Sequence, residues 1–132
     1  MGKISEAQAI LRAIGMPERQ QTPICALSLL ALAHIRPDDD WCQASNEWIR
    51  IHDIIQFVNL NYEVDYAENS RETFRKQAMH HFRNAALIED NGKATNSPNY
   101  RYRLPQETVR LWQTFHTDLW EKALKDVTDV HE

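Results

Sequence analysis

The spacing of apolar residues along the chain predicts helices separated by short connections. Apolar side chains at positions 4, 7, 10, 11 and 14 form one stripe of a first helix, Ile4–Ile14. A second helix, Ile24–Ile35, is apolar nearly all round, so we expect it at the centre of the fold. Thr22 suits its N-cap, and Pro23 suits its first position. Ile51–Asn61 has its apolar residues on one face and is a third core helix.

A fourth helix, Ser70–Ala86, is predicted to have two faces of different character. Its buried face is expected to contain Phe74, Ala78, His81, Phe82 and Ala85. A second face, with a period of four, is expected to be cationic in its first half and exposed to solvent: Arg71, Arg75, Met79 and Arg83. Asn69, followed three residues later by Glu72, has the pattern of a capping box at the start of this helix.

The segment after the fourth helix is typical of a β-hairpin. Leu87–Glu89 and Tyr100–Leu104 are the strand candidates, and residues that favour turns separate them. The second strand alternates apolar residues with two arginines, so one of its faces is expected to pack and the other to be exposed. Two further helices, Gln106–Phe115 and about Asp118–Val127, complete the chain.

Three core helices followed by a hairpin is the element order of a winged helix-turn-helix. The fold class is therefore expected to be mainly α, with a two-stranded β-hairpin wing and flanking helices. The 132 residues suit one domain on the usual prior of ~100–200 residues, and the three glycines disfavour an all-β fold. In this design the last core helix, here Ser70–Ala86, enters the major groove of DNA, and Leu87–Leu104 is the wing.

The charge distribution changes the interpretation of an acidic chain. The net charge is −4, which by itself argues against a nucleic-acid partner. Residues 70–110, however, carry eight basic and four acidic side chains, whereas the rest of the chain carries seven basic and fifteen acidic ones. This asymmetry predicts one electropositive face on an acidic body.

The electropositive segment contains side chains suited to double-stranded DNA. A helix N-terminus offers free N–H groups to phosphate, arginine can read guanine, and glutamine can read adenine. From the fourth helix the expected DNA-binding residues are Ser70, Arg71, Thr73, Arg75, Lys76 and Gln77. From the wing they are Lys93, Thr95, Asn96, Arg101 and Arg103.

Other chemistry is poorly supported by the sequence. The chain has no HExxH or CxxC pattern and no glycine-rich phosphate loop, and none of its lysines has an acidic residue two positions before it. We therefore expect no catalytic residue, no metal site and no cofactor in this chain. Cys25 and Cys42 are interpreted as reduced thiols, and the four tryptophans as core residues. A cytoplasmic location without a membrane segment is expected, because no apolar run is long enough and no secretory signal is visible.

Several segments, in order along the chain, resemble a known family. They are ILRAIGMPERQQ (10–21), SLLALAHIRPDDDW (28–41), YAENSRETFRKQ (66–77), TNSPNYRY (95–102) and TFHTDLWEKAL (114–124). Together they are similar to the N-terminal helix-turn-helix domain of the PstI/BsuBI type II restriction endonucleases. The resemblance covers nearly the whole chain, and SRETFRKQ and TNSP are its most specific parts. At Ala85-Ala86-Leu87 the chain departs from the family, for which a glycine is expected at the helix end.

The resemblance implies a domain that helps a restriction endonuclease to hold or read a short palindromic site of the CTGCAG type. Family members add a C-terminal PD-(D/E)xK nuclease domain that uses Mg²⁺, so residues 1–132 are expected to be a single DNA-binding domain with the catalytic domain after Glu132. A palindromic target also suits a homodimer of the full-length enzyme. Two alternatives remain open, namely a stand-alone winged-helix transcription regulator and a winged-helix module that binds protein.

Overall fold

The computed structural model describes residues 2–94 and 97–130, and the side chains of 128–130 lie outside that description. The first three helices are α1 (Lys3–Ala13), α2 (Pro23–Ala33) and α3 (Ile51–Asn61). Three segments then follow one another without a break and together form α4: Arg71–Phe74, the π-helical turn Arg75–Met79, and His80–Asn84. The remaining elements are β1 (Glu89–Asp90), β2 (Tyr102–Arg103), α5 (Gln106–Gln113) and α6 (Trp120–Val130). Short 3₁₀ turns occur at Glu18–Gln20, Trp41–Gln43 and Glu68–Ser70.

Helix α2 is the centre of the structure, as its sequence predicts. Every residue from 24 to 33 is buried, and α1, α3 and α4 pack around it. Such a helix can only be stable when other elements cover all of its faces. The predicted start is also confirmed, since Thr22 accepts a hydrogen bond from the Cys25 N–H at 3.4 Å and Pro23 is the first helical residue.

The two strands form an antiparallel hairpin, which confirms the winged-helix expectation. Glu89 lies opposite Arg103, and Asp90 lies opposite Tyr102. Ile49, just before α3, exchanges two backbone hydrogen bonds of 2.8 Å with Tyr102 and so attaches the hairpin to the helical core. Both strands are shorter than predicted. The first cannot include Leu87, because its N–H completes the end of α4 by bonding to the Phe82 carbonyl.

The predicted capping box at the start of α4 is wrong. The 3₁₀ turn Glu68–Ser70 runs directly into the helix, so the residues before Arg71 already have a turn conformation. An N-cap residue, by contrast, has an extended backbone. No side-chain cap forms there, and Glu72 instead pairs with Arg75 one turn further along.

The predicted place of Met79 on the cationic face is also wrong. Met79 is fully buried, next to Ala78 in the stripe that α4 turns to the core. The π-helical turn explains the difference, because it contains more residues than an α-turn and so changes which side chains face inward. Ala85, predicted to be buried, is exposed because it lies beyond the end of α4.

The tryptophans divide between core and surface. Trp41 and Trp112 are buried, as predicted, and Trp120 is half-buried against the core. The prediction that Trp48 is a core residue is wrong, since 39% of it is exposed. The guanidinium of Arg103 lies over its ring, 4.2 Å from the centroid. This contact supports one side of the wing.

Candidate nucleic-acid interface

Helix α4 has one exposed polar face on the side away from its buried residues. Thr73, Lys76 and Gln77, all predicted DNA-binding residues, lie on this outer face. The same helical spacing continues to His80 and Asn84, which are also exposed, and a 3.3 Å contact joins Asn84 Nδ2 to His80 Nε2. Sequence analysis missed these two residues, although the i, i+4, i+7 and i+11 positions from Thr73 identify them.

Two arginines near the start of α4 are held by neighbouring carboxylates. Arg71 donates to Glu68 through Nε at 2.8 Å, and Arg75 pairs with Glu72. The Arg75 guanidinium also lies close to the hydroxyl of Tyr102 on β2, so the two side chains bring α4 and the wing together. Both arginines therefore stabilise the start of α4 through these contacts, and both are also candidates for contact with DNA.

Ser70 and Lys76 complete the predicted contacts from α4. Ser70 is half-buried at the end of the 3₁₀ turn. Lys76 is exposed, and within the described part of the chain it forms no ion pair. Lys76 thus has its whole charge available to an external anion.

Among the described residues of the wing, only some of the predicted DNA-binding side chains are exposed to solvent. Lys93 is exposed, and Arg101 is half-buried. Arg103 donates to Glu89 at 2.8 Å in addition to its contact with Trp48, so it stabilises the hairpin. Thr95 and Asn96, also predicted, lie outside the described residues.

A pocket of about 510 Å³ lies between the start of α3, the start of α4 and the wing. We call it the α3–wing pocket, and its lining residues are Arg50, Ile51, His52, Arg71, Arg75, Ser97, Pro98, Tyr100 and Tyr102. Among the described residues that line it, four are basic and none is acidic. Arg50 and His52 were not predicted as site residues, because they lie about twenty positions before α4 and their own segment carries no cationic pattern.

Carboxylates just behind the lining residues hold the basic groups in position. Asp53 accepts bonds of 3.1 Å from both Nε and Nη2 of Arg50. Burial raises the pKa of Asp53, but its hydrogen bonds from Arg50 outweigh this, and the pKa lies below its usual value. The pKa of Glu68 is also lowered, first by its hydrogen bond with His52 and then by Arg71. Both carboxylates therefore stay ionised at neutral pH.

The described part of the chain offers neither a metal site nor a membrane-spanning helix. Within residues 2–94 and 97–130, no group of three His, Cys, Asp or Glu side chains is placed to hold a metal ion. Across the same residues, no helix combines the length and the apolar content needed to cross a bilayer.

Comparison with known proteins assigns the family. The family model of the BsuBI/PstI restriction endonuclease HTH domain matches residues 1–132. The chain belongs to this family. The resemblance drawn from the sequence motifs is thus confirmed, and so is the relation to the N-terminal helix-turn-helix domain of type II restriction endonucleases.

Individual relatives agree with this assignment. The chain is 37% identical over 125 residues to the type II restriction enzyme BsuBI of Bacillus subtilis, which covers 92% of this chain and 40% of that enzyme. It is 27% identical over 113 residues to the type II restriction enzyme AplI of Arthrospira platensis (strain NIES-39 / UTEX 3086 / IAM M-135), covering 80% of this chain and 34% of AplI. The solved structure of SdaI restriction endonuclease matches with a TM-score of 0.89 and 28% identity, over 96% of this chain and 41% of SdaI. The chain therefore spans about two-fifths of the length of these relatives or less.

Proposed function

We propose that this chain is the DNA-binding module of a type II restriction endonuclease and that it binds double-stranded DNA through α4 and the wing. The observation that carries the proposal is the exposed face of α4, where Thr73, Lys76, Gln77, His80 and Asn84 lie opposite the buried stripe. In a winged helix, the helix at this position enters the major groove. Membership of the BsuBI/PstI HTH family supports DNA as the partner.

The side chains suggest two kinds of DNA contact, one to the phosphate backbone and one to the edges of the bases. We assign phosphate contacts to the residues at the start of α4 and in the wing: Ser70, Arg71, Thr73, Lys76, Lys93, Thr95, Asn96, Arg101 and Arg103. Base-edge contacts are assigned to Gln77 and Arg75, and also to Asn84, which the sequence pattern did not single out. Glutamine and asparagine pair with adenine, and arginine pairs with guanine.

The whole enzyme is part of the same proposal. We infer that residues 1–132 act as one module beside a separate nuclease domain, that the target is a short palindromic duplex of the CTGCAG type, and that two copies meet on it in the cytoplasm. The names of the relatives support a restriction endonuclease, and the share of their length that this chain covers supports a separate domain elsewhere in the enzyme. Mg²⁺ would belong to the nuclease domain, because the described residues here offer no cluster of ligands that fits it.

The test is direct binding to two short duplexes, one containing CTGCAG and one with the same bases scrambled. We expect both to bind, and affinity to fall by ~10³-fold or more between about 50 and 200 mM salt, as several phosphate contacts require. A preference for the CTGCAG duplex would measure base reading. Absence of binding at low salt would contradict the proposal and favour a protein-binding role.

Lys76→Gln is the most informative variant, because Lys76 is exposed. It should weaken binding to both duplexes alike and reduce the slope of log affinity against log salt by about 1. Lys122→Gln, the same change at an exposed position of α6, is the matched control. Arg75→Ala should also weaken binding, but it removes the contact with Tyr102 as well and so needs a parallel stability measurement. Equal effects of the Lys76 and Lys122 changes would refute the assignment of α4.

A further inference from the structure

We propose that the α3–wing pocket binds a backbone phosphate of duplex DNA, and that Glu68 is the internal carboxylate that this phosphate displaces. This inference rests on the DNA binding proposed above and assigns one contact site within it. Its basis is the convergence of basic side chains from two helices: Arg50 and His52 at the start of α3 meet Arg71 and Arg75 of α4 in one pocket.

The dimensions of the pocket suit a phosphodiester. Its volume of about 510 Å³ falls in the range of ~300–1,000 Å³ typical of ligand pockets, so a phosphate and its adjoining sugar can enter. Tyr100 and Ser97 from the wing side line it together with the basic residues and add hydroxyl groups. A phosphate there would touch α3, α4 and the wing at once, and would therefore fix the position of α4 relative to the DNA backbone.

The basic groups retain donors after their internal pairs are made. A guanidinium has five N–H donors. Arg50 uses Nε and Nη2 on Asp53, and Arg71 uses Nε and Nη2 on Glu68. The remaining donors of both side chains make no hydrogen bond to the described residues and can donate to an oxygen of a second ligand.

Glu68 already pairs with two of the basic groups that line the pocket. One of its oxygens, Oε1, accepts from His52 Nδ1 at 2.5 Å and from Arg71 Nε at 2.8 Å, so it bridges two separate elements. About half of the Glu68 side chain is exposed. Exposed ion pairs contribute little stability, so a phosphate with the same single charge can replace this carboxylate. Glu68 then holds the two donors in position in the free protein and weakens binding to DNA.

The first test is Glu68→Gln, with Glu63→Gln as a control for the change in charge. Glu63 is exposed just after the other end of α3, and eleven residues of helix place it roughly 16 Å from the start. Fluorescence anisotropy with a labelled duplex should show binding about 3- to 10-fold tighter for Glu68→Gln at ~50 mM salt, and a change below about 2-fold for Glu63→Gln. Equal effects of the two variants would overturn the assignment of Glu68.

The second test is Arg50→Gln, with Arg36→Gln as its control. Arg36 is exposed just after α2, next to Ile35, whose carbonyl accepts from Tyr62 at the far end of α3. Arg50→Gln should weaken binding about 3- to 10-fold and lower the salt slope by about 1, whereas Arg36→Gln should leave the slope unchanged. Because loss of Arg50 also removes its pair with Asp53, thermal melting is measured in parallel. His52→Gln removes another basic group of the pocket but leaves the Arg50–Asp53 pair in place, and it should also weaken binding.

The outcomes separate this inference from the general proposal. If Lys76→Gln lowers the salt slope while the Arg50, His52 and Glu68 variants match their controls, the duplex binds through α4 and the pocket assignment is wrong. If no duplex binds at low salt, both are wrong. Titration of inorganic phosphate, followed by the NMR signals of His52 and Arg71, identifies the source of the anion. Binding of inorganic phosphate without any effect of the duplex on these signals would overturn the assignment to DNA.

Discussion

The thiol of Cys25 in α2 donates a hydrogen bond to the backbone carbonyl of Gln77, with Sγ and O separated by 3.1 Å. Gln77 lies in the π-helical turn of α4, and its side chain belongs to the outer face of that helix. The central helix α2 thus supports α4, the proposed recognition helix, on its buried side. The contact lies at the turn where the hydrogen-bond pattern of α4 changes from α to π. Burial raises the pKa of the Cys25 thiol, so it stays protonated and remains a donor at neutral pH.

Removal of this donor should loosen the π-helical turn. We expect Cys25→Ala to lower the free energy of unfolding by about 1–2 kcal/mol, because it removes a hydrogen bond and leaves a small cavity. Cys25→Ser keeps a donor and should lose less protection against hydrogen exchange at residues 75–79. Cys42→Ala, at an exposed position, is the control and should change stability by less than about 0.5 kcal/mol. Equal exchange rates in the Ala and Ser variants would show that the thiol does not support the turn.

The end of α4 offers a stabilising substitution. Ala86 has φ +60°, in the left-handed region, while the N–H of Leu87 bonds to the Phe82 carbonyl at 2.9 Å. This is the position where helices favour glycine, and it lies within the three residues where the family resemblance predicts one. Ala86→Gly should therefore raise stability by about 1 kcal/mol, and the melting temperature by a few degrees. Ala85→Gly, at a residue with negative φ, should lower stability, and a gain from both changes would contradict this explanation.

Trp41 and Glu6 form a buried polar pair between the second 3₁₀ turn and α1. The indole Nε1–H donates to Glu6 Oε1 at 2.8 Å, and only 3% of Trp41 and 6% of Glu6 are exposed. Trp41→Phe removes the donor and part of the packing, so urea unfolding should show a loss of about 2–4 kcal/mol. Trp48→Phe, at an exposed tryptophan, should cost much less. Similar losses for the two variants would argue against a special role of the Glu6 contact.

Tyr102 predicts how stability changes at high pH. Burial, with a smaller contribution from Tyr100, raises its pKa to about 12, above the value of about 10 for an unfolded chain. A raised pKa stabilises the fold while the phenol is protonated, so the contribution is complete below about pH 10 and is lost between about pH 10 and pH 12. The shift corresponds to roughly 2–3 kcal/mol. Tyr102→Phe should therefore flatten the loss of unfolding free energy over this range, and an unchanged pH profile would refute the assignment.

Much of this structure follows from local sequence patterns. The apolar run of α2 requires burial on every side, and this alone places it at the centre. Helical spacing also identifies Phe74 and Phe82 as core residues, and alternation turns Tyr102 of the wing inward. These properties depend on near neighbours in the chain, so their periods are visible without knowledge of the fold. The same local character lets the motifs indicate the family.

The tertiary structure decided what lies at the candidate interface. The α3–wing pocket depends on bringing Arg50, Arg71 and Tyr100 together from positions 20 to 50 residues apart, and no local period encodes that meeting. Likewise, the pairing of Glu68 with His52, sixteen residues away, follows from the packing of α3 against the start of α4. The inward turn of Met79 required the π-helical turn against α2. Hydrophobic periodicity determines which elements form and which face of each is buried, whereas the packing of those faces determines which polar side chains meet.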